Sequence, residues 1–383
     1  MIISHVKLKN WRNFKDVSAP LGNRVFIVGP NASGKSNFLD VFRFLRYIAK
    51  TGGGLQKAIK DRGGISKIRC LAARAEPQVG IDISFAGTPT TEAIWRYALG
   101  IKHDTGRKRQ AIIDYEKVWK DKQLILNRPV KADYEDELRL TETHLEQINA
   151  NAKFREIADY FKSIYYTHLT PQLLRHPDYF IITPNYTDDP FGRTFLERVA
   201  QTTPGIRKRR LGKIENALQL AVPQLRELKF TKDANGIPHL EAIYSHWRAK
   251  GAKQTEEEFS DGTLRLIGLL WSLLESDSLL LIEEPEISLH ASLVHQLPSL
   301  IWRLQRKRTR QVIVSTHSSD LLSDKGIGGE EALMLIPNVE GTQVKVAANV
   351  EDVKLLLEGG LTVGEALIPK TEPKQINQLS LFE

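Results

Sequence analysis

The sequence predicts an α/β fold with buried parallel strands, on three observations. An apolar run at residues 25–28 leads through a glycine-containing segment, residues 29–36, into residues 37–49, whose apolar positions suit a helix packed on a sheet. Residues 279–282 and residues 312–315 are short, continuous apolar or β-branched runs, typical of parallel strands buried on both faces. Both runs end in polar side chains, which places chemistry at one edge of the predicted sheet.

The glycine-containing segment has the complete pattern of a phosphate-binding loop. It reads Gly29-Pro30-Asn31-Ala32-Ser33-Gly34-Lys35-Ser36 and is followed by Asn37. A strand before the loop and a helix after it are the context this motif requires. The backbone N–H groups and the helix N-terminus suit a phosphate, Lys35 suits the β- and γ-phosphates, and the Ser36 hydroxyl suits Mg²⁺. The motif predicts binding of ATP with Mg²⁺; the alternative is a glycine-rich turn with an incidental Lys-Ser.

The run at residues 279–282 ends in two acidic residues. A carboxylate at this end of a central strand lies beside the phosphate loop, so Glu283 is predicted to hold Mg²⁺. Glu284 is predicted to orient or deprotonate the attacking water. The alternative is a pair of exposed acids at a strand end.

His317 follows the next buried run, within Ser315-Thr316-His317. A histidine there can donate a hydrogen bond to the γ-phosphate, and the alternative is a purely structural histidine.

Ser260-Asp261-Gly262 opens a predicted helix. Ser260 or Asp261 suits a plain N-cap. The alternative is that this helix start offers its hydroxyl, backbone N–H groups and dipole to the triphosphate of a second molecule.

Composition indicates an ordinary globular chain of 383 residues with a net charge of +8. No apolar run approaches the roughly 20 residues that a membrane helix needs, so no membrane partner is expected. The single cysteine, Cys70, fits a reducing cytoplasm. Two basic clusters favour DNA as a partner, although each also suits a solvated face. The first cluster comprises Arg207, Lys208, Arg209, Arg210 and Lys213, and the second comprises Arg303, Arg306, Lys307, Arg308 and Arg310.

In their order along the chain these motifs resemble the ABC-type ATPase head of the RecF/SMC/OLD group. The resemblance covers residues 1–100 and 255–340 and is closest to the compact AAA-family branch of prokaryotic DNA repair and phage defence. It implies a P-loop NTPase fold with a mixed central sheet flanked by helices. It also implies a homodimer in which two heads sandwich two ATP molecules.

The resemblance assigns further residues. Ser260 and Gly262 would contact the γ-phosphate held by the opposite subunit, and residues 288–290 would cross the dimer interface. Arg12 would lie near the nucleotide. Glu283 stands where transporters usually have Asp, and the helix start lacks their double glycine and glutamine, which argues against a transporter subunit. The glutamine loop that normally follows the first lobe has no clear match in the sequence; Gln56 and Gln78 are candidates for it.

The domain organisation is predicted in four parts. Residues 1–102 form the N-terminal lobe, residues 103–225 a helical insertion, residues 226–345 the C-terminal lobe, and residues 346–383 an extension with a flexible tail. Residues 79–85 and 93–99 are expected to pair as antiparallel strands, residues 226–244 to form a hairpin, and residues 135–160 and 194–220 to be helical. No nuclease segment is recognised after residue 345, so any nuclease or toprim-like effector is expected to be a separate polypeptide.

The C-terminal tail carries a short apolar motif, Gln378-Leu379-Ser380-Leu381-Phe382. It resembles the pentapeptide by which bacterial repair factors dock on the replicative sliding clamp; the alternative is a terminal strand that folds back on the core.

These predictions support an ATP-driven molecular switch that acts on DNA or on an effector. The alternative is an ATP-binding scaffold that restrains a nuclease or toxin.

Overall fold

The structure is a computed structural model that describes residues 1–73, 78–104, 110–176, 189–245, 251–306 and 310–372. Its strands are β1 (Ile2–Trp11), β2 (Phe14–Pro20), β3 (Arg24–Val28), β4 (Val79–Ala86), β5 (Trp95–His103), β6 (Ala111–Lys120), β7 (Gln123–Arg128), β8 (Tyr165–Thr167), β9 (Leu225–Lys232), β10 (Pro238–Tyr244), β11 (Ala252–Thr255), β12 (Leu280–Glu283), β13 (Val312–Thr316), β14 (Ala332–Asn338) and β15 (Gly341–Val346). Its α-helices are α1 (Lys35–Ala49), α2 (Leu55–Lys60), α3 (Ile65–Ile68), α4 (Lys131–Glu135), α5 (Arg155–Ser163), α6 (Pro171–Arg175), α7 (Phe195–Gln201), α8 (Pro204–Ala221), α9 (Asp261–Glu275), α10 (Ala291–Val294), α11 (Leu297–Gln305), α12 (Ser319–Leu322), α13 (Glu351–Glu358) and α14 (Val363–Thr371). None of these helices is long and apolar enough to cross a membrane.

The central sheet has the order β15-β14-β3-β13-β12-β8, with β15 antiparallel and the other strands parallel. Strands β3 and β13 are buried along their whole length, as expected for parallel strands covered on both faces. The register places Ser315 opposite both Ile27 and Glu283. The carboxyl ends of β3, β12 and β13 therefore lie side by side.

Two apolar cores cover the two faces of this sheet. Because successive side chains of a strand point to opposite faces, Val25 and Ile27 belong to one core and Phe26 and Val28 to the other. The first core holds α1 and a six-stranded antiparallel sheet of order β2-β1-β4-β5-β6-β7. The second holds α9, which is buried from residue 263 to residue 274.

The predicted helical insertion at residues 103–225 is wrong for its first part. Residues 111–128 form β6 and β7, which complete the antiparallel sheet, and β8 belongs to the central sheet. Strand β6 is half-buried and carries several charged side chains. Because these charges occupy many of its positions, the alternation of apolar and polar residues that is typical of a strand is not visible in the sequence. Residues 135–160 contain mainly 3₁₀ turns before α5 begins at Arg155.

Other predicted elements are confirmed. Strands β4 and β5 pair antiparallel, β9 and β10 form the expected hairpin, and α7 and α8 provide the helix over residues 194–220. The tail motif at residues 378–382 lies outside the described residues.

A buried ion network anchors the segment after β7 to the antiparallel sheet. Arg128 pairs with Glu116 at 3.1 Å and with Asp133 at 3.0 Å, and all three side chains are at most 2 % exposed. Burial raises the pKa of Asp133, but hydrogen bonds from Arg128 and from the Val130 amide outweigh it and lower the pKa to about 2. Nearby, burial and then the Arg128 charge lower the pKa of His144 to about 4.

Candidate nucleotide-binding site

The phosphate loop links β3 to α1 in the manner its sequence predicts. Ala32 and Gly34 have positive φ angles of 62° and 100°. A Cβ at Gly34 would lie 2.2 Å from Asn13 Nδ2, so the position requires glycine on two counts. This close contact fixes the last turn of the loop just before the helix begins at Lys35.

Asn13 supports the loop and was not singled out by the sequence. Its Nδ2 donates to the Ser33 carbonyl and to Thr342 Oγ1, both at 2.7 Å, and its Oδ1 accepts from Asn37 Nδ2 at 2.8 Å. A lone Asn in a turn between β1 and β2 gives no sequence signal for such a role. Its three hydrogen bonds join the loop, α1 and β15.

Lys35 lies inside the loop that is predicted to hold the phosphates. Its Nζ donates to the Gly29 carbonyl at 2.8 Å and to the Pro30 carbonyl at 3.1 Å. Burial lowers the pKa of Lys35, and the charges of Glu284, Glu286 and Glu283 oppose that shift. The ammonium therefore has neutral carbonyl partners, which an anionic phosphate oxygen would replace.

The residues present fit a nucleotide phosphate. The Ser33 hydroxyl is buried and has no hydrogen-bond partner among the described residues, and a phosphate oxygen would supply one. Asn31 and Ser36 of the loop are exposed. Helix α1 is 15 residues long, and no side chain caps its N-terminus. The first N–H groups of this helix are therefore available to an anion.

Glu283 meets Ser36, as predicted for a magnesium site. The Ser36 hydroxyl donates to Glu283 Oε1, and the Tyr166 hydroxyl donates to Glu283 Oε2. A hydroxyl and a carboxylate are oxygen ligands of the kind that Mg²⁺ prefers, so the donor set fits the ion. Burial, and then the Glu283 charge, raise the pKa of Tyr166 above its usual value. Tyr166 stands in a three-residue strand, too short for the sequence to reveal.

Glu284 and His317 also come together. His317 Nδ1 lies 3.3 Å from Glu284 Oε1 and 3.6 Å from Glu286 Oε1. Glu286 accepts from Thr316 Oγ1 at 2.7 Å and from the His317 amide at 3.2 Å. Its other oxygen is buried without a partner among the described residues. Glu286 thus ties the end of β13 to the acidic segment, a role that its place in the motif does not reveal.

Arg265 is a second buried charge at this edge. It is 4 % exposed and donates to the Glu284 carbonyl at 2.8 Å. Burial lowers its pKa, against the charges of Glu286 and Glu284. Glu284 has a φ of 46°, so this bond helps to hold a sparsely populated backbone conformation.

Ser260 caps α9, and Gly262 lies against the loop that is predicted to cross the dimer interface. Ser260 Oγ accepts from the Thr263 amide at 3.2 Å, and a Cβ at Gly262 would lie 2.7 Å from the Ser288 carbonyl oxygen. Asp261 is held by Arg175 at 2.7 Å. Among the described residues, the hydrogen bonds of the Ser260 hydroxyl go to Thr263 and not to the phosphate loop.

Arg12 lies beside α1 rather than on the loop. Its Nη2 pairs with Asp40 at 2.9 Å, and Asp40 also pairs with Arg62 at 2.7 Å. The nearness of Arg12 to a nucleotide stays a prediction. Of the glutamine-loop candidates, Gln56 donates to the backbone carbonyls of Ala111 in β6 and of Thr141, and the backbone carbonyl of Gln78 accepts from Asn10.

Several arginines of the basic clusters are structural. Arg207 stacks on Phe230 at 3.9 Å, and Arg210 donates to the Glu275 carbonyl. Arg310 is 4 % exposed and donates to the Ser278 carbonyl at 2.8 Å. Among the described residues of the two clusters, the exposed basic side chains, which suit a polyanion, are Lys208, Arg209, Lys213, Arg303 and Arg306. Lys307 and Arg308 lie outside the described residues.

The chain belongs to the family described as "AAA domain, putative AbiEii toxin, Type IV TA system", whose model matches residues 24–324. Among solved structures it is similar to an SMC head bound to the C-terminal winged-helix domain of ScpA, with 15 % identity, a TM-score of 0.53, and coverage of 90 % of this chain and 98 % of that one. It is also similar to an SMC head with an extended coiled coil, bound to the C-terminal domain of ScpA, derived from Pyrococcus furiosus. That match has 15 % identity, a TM-score of 0.50, and coverage of 94 % of this chain and 99 % of that one. No curated protein is significantly similar in sequence.

The chain is thus a member of this AAA-domain family whose fold is that of an SMC head, and it has the α/β P-loop NTPase fold that the sequence predicts. At this level the protein is an ATPase of the AAA type.

Proposed function

We propose that the protein hydrolyses ATP with Mg²⁺, and that ATP closes two copies into a head-to-head dimer that hydrolysis reopens. The observation that carries this proposal is the meeting of Ser36 with Glu283 and of Glu284 with His317 beside Lys35. These are the groups that phosphoryl transfer to water requires at one place.

Each residue has a distinct task in this proposal. Gly29–Gly34 and the N-terminus of α1 bind the phosphates, and Lys35 exchanges its carbonyl partners for β- and γ-phosphate oxygens. Ser36 and Glu283 hold Mg²⁺, which when bound neutralises charge on the phosphate oxygens. Glu284 orients water and accepts its proton, and His317 donates to the γ-phosphate.

The dimer is proposed because, among the described residues, the hydroxyl at the start of α9 makes no hydrogen bond to the phosphate loop of its own head. The Ser260 hydroxyl hydrogen-bonds Thr263 within its own helix. Gly262 packs against Ser288, so the start of α9 and the predicted interface loop share one surface. A partner head would place its α9 terminus against the phosphates, where the hydroxyl and helix dipole stabilise negative charge.

Opening and closing would act on DNA or on an effector protein, in DNA repair or anti-phage defence. The family description names a toxin and a toxin–antitoxin system, and the similar SMC heads are bound to domains of ScpA. The exposed basic side chains, Lys208, Arg209 and Lys213 among them, support DNA as the partner. If these side chains contact phosphates, DNA affinity falls steeply as the salt concentration rises. An affinity that does not change with salt would show that they are only part of a solvated surface. The sliding clamp, through residues 378–382, and a cytoplasmic location stay predictions.

Two variants test the switch. Lys35→Ala removes the phosphate-binding ammonium and is expected to abolish ATP binding, measured by calorimetry. Glu284→Gln keeps the shape of the side chain but removes the base, so it is expected to bind ATP, stop turnover and accumulate a dimer in light scattering. Glu257→Gln, an acidic residue in the loop before α9, is the matched control and should behave as the parent. Parental turnover by Glu284→Gln would refute the assignment of the base.

The second candidate function is an ATP-bound scaffold that restrains a nuclease or toxin; its support is that the family description names a toxin–antitoxin system. A scaffold predicts little steady-state turnover and no response to DNA, whereas the switch predicts measurable turnover. Measurement of phosphate release from ATP, with and without DNA, separates the switch from the scaffold.

A further inference from the structure

Tyr166 lies beside the carboxylate that is proposed to hold Mg²⁺. It stands in the middle of β8, opposite Leu281 in the parallel register with β12, and is 6 % exposed. Its hydroxyl donates to Glu283 Oε2, while Ser36 Oγ donates to Oε1. Both oxygens of Glu283 are therefore engaged, one by the loop helix and the other by the neighbouring strand.

The Tyr166 ring is itself held from the helix that follows the phosphate loop. The Arg43 guanidinium lies over the ring, 4.0 Å from its centroid, in a cation–π contact. Arg43 approaches Asp40 at 3.9 Å, and Asp40 is fixed by Arg62. Helix α1 thus carries both Ser36 and the support for Tyr166, so the two hydroxyls that hold Glu283 are aligned by one rigid element.

We propose that Tyr166 is a positioning residue that presents Glu283 to Mg²⁺. The inference rests on the proposed function, in which Ser36 and Glu283 hold the ion. A carboxylate held at one oxygen by a buried hydroxyl keeps the other oxygen aimed at the metal, and outer partners of this kind commonly change metal affinity 10- to 100-fold. Removing the hydroxyl frees Glu283 to rotate and leaves Oε2 without a donor.

The chain offers a matched control in the adjacent tyrosine. Tyr165 packs against the opposite core and lies under Arg198, 4.9 Å from its ring centroid. Tyr165→Phe and Tyr166→Phe therefore remove the same atom from the same short strand, each from a ring stacked on arginine. Of these two tyrosines, Tyr166 is the one that contacts Glu283.

The test is equilibrium binding of a non-hydrolysable ATP analogue by calorimetry across a series of Mg²⁺ concentrations. Tyr166→Phe is expected to raise the Mg²⁺ concentration for half-maximal tightening about 10-fold or more, whereas Tyr165→Phe leaves it unchanged. Affinity for the analogue in EDTA should match the parent in both variants, which also shows that the fold is retained. Arg43→Met, which releases the ring and keeps the hydroxyl, should raise the Mg²⁺ requirement in the same direction by a smaller factor.

Glu283→Gln separates this inference from the function on which it rests. If Glu283→Gln raises the Mg²⁺ requirement and Tyr166→Phe does not, the positioning role is refuted and the proposed function stands. If Glu283→Gln leaves the requirement unchanged, the proposed metal role fails and the inference fails with it.

Discussion

Replacement of Gly262 by alanine tests the packing between the start of α9 and the predicted interface loop. A Cβ at this position would lie 2.7 Å from the Ser288 carbonyl oxygen. That oxygen belongs to the backbone of a residue with a φ of 62°, so it cannot swing aside as a side chain would. Overpacking of this kind costs about 1–3 kcal/mol, although alanine also gains up to about 1 kcal/mol of helix propensity.

Gly212→Ala is a control that measures the gain in helix propensity without a steric clash. It lies inside α8, where an added Cβ would meet nothing within 4 Å, so Gly212→Ala should stabilise by about 0.4–1 kcal/mol. The difference between the two variants isolates the clash and is expected to be about 1–3 kcal/mol. Urea denaturation of the nucleotide-free protein, followed by tryptophan fluorescence, measures it. Equal changes in both variants would refute the packing argument.

The remaining predictions concern the buried ion network and its response to pH. Arg128→Met leaves the buried Glu116 without the cation at 3.1 Å, while Asp133 keeps its ion pair with Arg139, and should destabilise by about 3–5 kcal/mol in urea denaturation; a loss below about 1 kcal/mol would contradict this. The pKa of His144 is about 4, below its usual 6.5, so the unfolded state takes up the proton first as pH falls from 6.5 to 4 and stability drops across that range. His144→Gln should remove this part of the decline in Tm measured against pH, and an unchanged slope would assign the decline to other groups.

The parts of the fold that sequence predicts well are those set by local pattern. Strand β3, the phosphate loop and α1 are contiguous, and each shows its own periodicity or glycine signal. Strands β12 and β13 are equally clear because burial on both faces makes them continuously apolar. Strand β6 was missed because its charged residues suggested a solvated helical region, although Glu116 is buried.

The residues of the candidate site likewise fall into those that the sequence predicts and those that it does not. Lys35, Ser36, Glu283 and Glu284 stand in recognisable motifs, and the structure brings them together. Asn13, Tyr166 and Arg265 act through contacts between residues far apart in the chain, which no single-sequence pattern encodes. Arg310 shows the converse error, because a basic residue in a basic cluster proves to be buried and bonded to backbone carbonyls.

The measurement that most directly tests the central claim is complementation between two inactive variants. Lys35→Ala lacks the phosphate-binding ammonium, and Ser260→Tyr blocks the helix start offered to the partner. If each reaction centre combines the loop of one subunit with the α9 terminus of the other, an equal mixture forms mixed dimers in which one centre is intact. The mixture should then recover about a quarter of parental ATP turnover, while each variant alone stays inactive, because a two-fold dimer holds two equivalent centres. No recovery on mixing, or full turnover by Ser260→Tyr alone, would contradict the account.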